Sequence, residues 1–131
     1  MNAAHWNKLI GQPYDECNCA QAVRAVLSSM GLDAHAATIP VTDEDYISAM
    51  HNAENGDVWD RLRDDVPVEP DDIVLMPGDG YRIGIGIVVG AAGARGRWNV
   101  LTSTPLAGVL VQRVSRRRFV AHYRARVEGS A

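Results

Sequence analysis

The sequence has no apolar run approaching the ~20 residues that a membrane-spanning helix requires, so no membrane insertion is expected. Its opening, MNAAHWNKLI, shows neither a basic n-region nor an apolar h-region with a cleavage site, so no secretion signal is expected either. Cysteine is scarce, with only Cys17 and Cys19. A bridge between residues i and i+2 would be strained, and two cysteines make a poor disulfide framework, so the chain reads as made in a reducing cytoplasm. The same scarcity argues against a metal centre. The C-x-C thiols with His5 or His51 could hold zinc, but no CxxC or HxxxH cluster completes such a site. No cofactor fingerprint is present: the G-x-G of RIGIGIVVG (82–90) lacks the third glycine and is not followed by a helical pattern. Repeats, low-complexity tracts and linkers are also missing, which leaves residues 1–131 as one domain with a single core.

What is present is unevenly distributed. Residues 1–40 carry a net charge of −1, residues 41–80 carry −10, and residues 81–131 carry +8, with twelve of the thirteen basic residues being Arg. Either acidic and basic elements lie against each other in the fold, or two surfaces of opposite sign guide docking into an assembly. The SRRR run (115–118) has no interleaved aromatics and no accompanying nucleic-acid fold signature, so no nucleic-acid partner is expected.

The pattern changes from helical to extended near Glu69. In NCAQAVRAVLSSM (18–30), Val23, Val26, Leu27 and Met30 follow helical spacing, with Asn18 or Asp15 as cap and Gly31 at the C′ position. A second helix is expected over 42–53, capped by Thr42 with Asp45 in the capping-box position and a thin apolar face of Tyr46, Ile47 and Met50. A turn of helix is expected around Val58–Leu62. Then come DDIVLM (71–76), the turn PGDG (77–80), RIGIGIVVG (82–90), a glycine-rich loop, WNVLTS (98–103), GVLVQRV (108–114) and RFVAHYRARV (118–127). In the last, Phe119, Ala121 and Tyr123 alternate with Val120, His122 and Arg124. The expectation is an α+β architecture, with N-terminal helices packed on a five-stranded antiparallel meander.

Among chemical candidates Cys19 comes first. It lies four residues before Val23 on the buried stripe, at the helix's first turn, where unpaired N–H groups and the positive dipole end stabilise a thiolate. The alternative is a cysteine that is simply buried. Cys17 has no comparable placement. His5 and His51 read as solvated, His35 as a loop residue, and His122 as a structural residue of the final strand. Asp57, Asp60, Asp64 and Asp65 read as a solvated face. The glycines of 82–90 read as positions where another backbone or a helix end comes close.

These fragments, in order, resemble the NlpC/P60 peptidases, cell-wall hydrolases of papain-like fold. WNKLIGQPY (6–14) followed by NCAQAVRAVL (18–27) is similar to the family's G-x-P-Y segment and nucleophile helix. VEPDDIVLM (68–76) is similar to its P-G-D-h-h-h-h strand, and GIGIVVG (84–90) to H-h-G-I-h-h-G. VLTSTPLAGV (100–109) is similar to the strand bearing the third polar group, and residues 108–124 are similar to small family members encoded in phage tail modules. The resemblance implies a nucleophile at Cys19, a base at position 84 and an orienting group at position 102. Position 84 is glycine (Gly84) and position 102 is threonine (Thr102). Glycine takes no proton, and in a serine hydrolase loss of the histidine alone costs on the order of 10⁶ in turnover. The resemblance therefore implies a structural or assembly protein of a phage or phage-derived tail, without peptidase activity. It would be made in the host bacterial cytoplasm and carried in the virion, with other tail proteins, and peptidoglycan in some cases, as partners. The rival expectation is an active cysteine peptidoglycan endopeptidase using Cys19 with a base such as His122 or His35.

Overall fold

The computed structural model describes residues 3–40, 46–55, 58–77, 83–93 and 96–126. Helices precede strands, giving the α+β arrangement expected. Three helices, α1 (Cys19–Ser29), α2 (Asp33–Ala37) and α3 (Tyr46–Asn55), are followed by β1 (Trp59–Leu62), β2 (Ile73–Pro77), β3 (Ile83–Ala91), β4 (Arg97–Thr104), β5 (Gly108–Ser115) and β6 (Ala121–Ala125).

Both ends of α1 follow from local sequence. The Asn18 side chain accepts from the Gln21 N–H, and the Gln21 side chain accepts from the Asn18 N–H, each at 2.9 Å, a reciprocal capping box. At the other end Gly31 adopts φ +80°, its N–H reaches the Ser28 carbonyl at 3.0 Å, and the Leu32 N–H reaches the Leu27 carbonyl at 2.9 Å. That double closure requires a left-handed residue, which glycine adopts without a Cβ penalty. For α3, Tyr46 and Met50 are buried and Ile47 is exposed; the expected caps Thr42 and Asp45 lie outside the described residues.

The six strands form one antiparallel sheet in the order β1-β6-β2-β3-β4-β5. This corrects the expectation in three ways. First, the segment expected as a helical turn is strand β1, pairing Trp59 with Ala125 through Leu62 with His122. Pairing with β6 keeps Trp59 buried, its indole N–H donating to Thr38 Oγ1 at 2.8 Å. Second, β6 crosses back to lie between β1 and β2, so only β2 to β5 form a meander. Third, β6 is shorter than 118–127, because Arg116–Arg118 make a 3₁₀ turn. Side-chain alternation holds only inside a strand, so Phe119 falls on the face opposite Ala121 and Tyr123. His35, expected in a loop, lies in α2.

One face of the sheet, with Ile73, Leu75, Ile85, Ile87, Leu101 and Tyr123, packs against α1 and α3. The opposite face, with Val74, Met76, Val88, Val100 and Val114, packs against Val68 and Phe119. The acidic and basic parts of the chain meet within this fold. Arg124 pairs with Asp72 at 2.9 Å and Glu69 at 3.5 Å, Arg116 with Asp64 at 3.7 Å, and Arg126 with Asp60. Part of the charge asymmetry is thus intramolecular, and Asp60 and Asp64 are ion-paired.

Candidate functional site

The first element of the site is a strap formed by the GQPY segment. The Gly11 N–H donates to the Val109 carbonyl and the Val109 N–H to the Gln12 carbonyl, both at 2.9 Å, fixing the segment to the free edge of β5. Gly108 makes this approach possible: its φ is +71°, and a Cβ there would stand 2.2 Å from the Gln12 carbonyl oxygen. The chain then turns, with the Cys17 N–H donating to the Pro13 carbonyl at 2.8 Å, and enters α1 at Cys19.

The second element is a parting of strands. Pairing of β3 with β4 runs from Ala91–Trp98 to Ile87–Leu101 and continues no further among the described residues. Beyond that point β3 stays paired with β2 as far as Pro77–Ile83, and β4 with β5 as far as Thr104–Gly108. Between the parted ends lies a cavity of about 370 Å³. Cys19, Gly84 and Thr102 all line it, so the three positions singled out in the sequence converge on one space. Alternation places Cys19, Tyr46 and Ser103 on the helix side of the sheet and Gly84, Thr102 and Gln112 on the other; all six line the cavity.

Cys19 is buried, and its Sγ lies 3.7 Å from the Tyr46 hydroxyl. Either group can donate in this contact, and a neutral phenol is not the base that a thiol nucleophile calls for. Thr102 is committed elsewhere, its hydroxyl donating to the Ile85 carbonyl at 2.8 Å just where the β3–β4 ladder stops. At Gly84 a Cβ would meet only the Met76 carbonyl, at 3.8 Å, whereas at Gly86 it would lie 2.4 Å from Val100 Cγ1. The close approach expected of this glycine-rich strand therefore occurs at Gly86, and position 84 has room for a side chain it does not carry.

No histidine lines the cavity among the described residues. His5 Nδ1 is 2.8 Å from Ser29 Oγ. His35 Nε2 is 3.0 Å from the Arg126 carbonyl, its ring edge-on to Trp59. His122 is fully buried on the face opposite α1, with neither ring nitrogen hydrogen-bonded among the described residues. Burial lowers its pKa, as does the positive charge of Arg116; Asp72 acts in the opposite sense. The side chain of His51 lies outside the described residues. Cys17 is a core residue, and burial raises its pKa.

Several lining residues carry no clear mark in the sequence. Tyr46 reads as one of three apolar-face positions of a helix, and spacing gives no sign that it meets Cys19. Arg118 is one of a run of surface arginines. The polar triplet Thr102–Thr104, which follows Val100 and Leu101 at the end of β4, is the signal that points to Ser103. Among the described residues no group of three or more His, Cys, Asp and Glu side chains is placed to hold a metal ion, and no helix is long and apolar enough to cross a membrane. Neither a scan against protein-family models nor a search of curated proteins finds a match for this chain.

Proposed function

We propose that this chain is a structural or assembly protein of a phage or phage-derived tail, built on an NlpC/P60-like scaffold that no longer hydrolyses amides. The observation that carries this reading is the composition of the cavity. Cys19 stands at its wall on a helix N-terminus, yet positions 84 and 102 supply a glycine and a hydrogen-bonded threonine, and no imidazole among the described residues borders the space. Attack by sulfur would leave an amine to be expelled, and the described lining holds no imidazole to take the thiol proton and return it to that amine. Asp71 supports the scaffold assignment. It occupies the place of the glycine in the family's P-G-D segment and adopts φ +77°, the left-handed conformation that glycine favours. The tail context rests on the likeness of residues 108–124 to tail-encoded members of the family, and genes for tail-tube and tail-tip proteins beside this one are the expected neighbours.

The alternative, an active peptidoglycan endopeptidase, draws on the same placement of Cys19 but needs a base. His122 and His35 are held on other parts of the fold. Incubating the purified chain with peptidoglycan or a stem peptide and measuring new amine termini separates the two. No release is expected, and release that disappears in Cys19→Ala would overturn the silent-scaffold reading.

A further inference from the structure

We infer that the cavity beside Cys19 binds a small ligand through a carboxylate group, with Arg118 as its counter-charge and Ser103 as a hydrogen-bonding wall. This assignment rests on the same cavity as the proposed function, but it concerns binding rather than cleavage.

The first observation is electrostatic. Among the described residues Arg118 is the only charged side chain lining the cavity, with no aspartate or glutamate beside it. Of the neighbouring arginines, Arg116, Arg124 and Arg126 each have a carboxylate partner, and Arg117, which has none among the described residues, does not line the cavity. Arg118 has none among the described residues; its guanidinium donates to the Pro77 carbonyl at 3.2 Å, leaving most of its N–H groups available. A guanidinium without a counter-charge, on a lining that supplies no carboxylate, selects an anion, and its planar fork matches a carboxylate.

The second observation is independent. Ser103 is 5% exposed, lines the cavity, and its hydroxyl has no hydrogen-bond partner among the described residues. Buried hydroxyls in native proteins are almost always paired, so a partnerless one in a cavity wall marks a place where a ligand group belongs. Gln112 adds an amide to the same lining.

Size and polarity narrow the class. About 370 Å³ is at the small end of ligand sites, which run roughly 300–1,000 Å³. Ile83, Met76 and the Tyr14 ring give the lining an apolar share. One guanidinium balances a monoanion, whereas a phosphate dianion calls for more than one cation. The chemistry that fits is a short organic acid with a partly apolar body, of the kind a peptide's C-terminus presents.

The test is calorimetric titration of the full chain with N-acetyl-alanyl-alanine, its C-terminal amide and inorganic phosphate. The free acid is expected to bind at least about tenfold more tightly than the amide. Arg118→Gln is expected to abolish that preference, Arg118→Lys to retain part of it, and Ser103→Ala to weaken the acid several-fold, with circular dichroism unchanged in each. Equal binding of acid and amide, no binding of either, a preference that survives Arg118→Gln, or phosphate binding as tightly as the acid would each overturn the assignment. Amine release measured in the same samples reports separately on hydrolysis. Binding without release supports both readings, binding with release keeps the site and removes the silent scaffold, and absence of both removes the site alone.

Discussion

Around Cys19, polar groups are hydroxyls, two phenols, an amide and one guanidinium bordering open volume; around His122, on the far face of the sheet, the charged groups are closed into pairs. In the second region Asp72 is 1% exposed and accepts three hydrogen bonds at once, two from N–H groups of Arg124 and one from the Glu69 N–H, each at 2.9 Å. Neither Asp72 nor Arg124 borders the cavity. The fully buried imidazole of His122 thus lies off the cavity lining, and the Cys19 thiol lies on it. The difference shows that possession of a Cys and several His residues says little about catalysis until the sheet decides which face each occupies.

The largest effect is expected from opening the closed region. Asp72→Ala would leave Arg124 half-buried without its bidentate partner and would free the Glu69 N–H. A fully buried pair broken this way costs about 3–5 kcal/mol, and because the Arg124 side chain is 33% exposed the expected loss is about 2–4 kcal/mol. Urea unfolding measures it. If the two regions are independent, the Tyr46–Cys19 side keeps its thiol accessibility in Asp72→Ala under native conditions; a change in both would dissolve the contrast.

A smaller effect is expected at the strap that builds the cavity. Gly108→Ala places a methyl group against the Gln12 carbonyl at 2.2 Å and forces a non-glycine residue into φ +71°. The expected loss is about 2 kcal/mol, with the GQPY segment displaced from β5. Gly90→Ala is the control, since nothing lies within 4 Å of its Cβ position and its φ is ordinary. It should change stability by no more than about 0.5 kcal/mol. Equal losses at the two positions would mean that the strap contributes nothing particular to the site.

These contrasts also mark how far local sequence signals reach. The helix from Asn18 to Gly31 is legible because its signals are local: a capping box at one end, a left-handed glycine at the other, and a 3.6-residue stripe between. The meander from β2 to β5 is legible for the same reason, its alternation and turn residues lying side by side in the chain. β1 is not, because its identity depends on β6, about 60 residues further along, and four residues carry no period of their own. Within the site, an ordered set of short motifs marks Cys19, Gly84 and Thr102, and the cavity gathers all three. Tyr46 is out of reach because its contact with Cys19 spans 27 residues and depends on how α3 packs. Arg118 is hidden among look-alikes, since which arginine reaches the cavity is decided only by tertiary proximity.

The smallest effect expected is a change in pH dependence at His122. Its ring nitrogens lack hydrogen-bond partners among the described residues, and burial followed by the charge of Arg116 lowers its pKa below the ordinary imidazole value; Arg124 adds to that, while Asp72 and Asp64 oppose it. The unfolded chain therefore binds a proton at this residue more readily than the folded one. Stability attributable to His122 is complete above the unfolded value, about pH 6.5, and is lost as pH falls below it toward the lower folded value. His122→Leu removes the titration and replaces two orphaned nitrogens with a side chain of similar bulk, so its stability at about pH 7.5 should equal or slightly exceed that of the unaltered chain. Between about pH 7 and pH 5 its Tm should fall less steeply. The difference between the two slopes is the measurement, because every other titrating group is common to both chains. Parallel slopes would mean that the imidazole is protonated as easily inside the fold as outside it, and the closed region would then be open to solvent in the way the Cys19 cavity is.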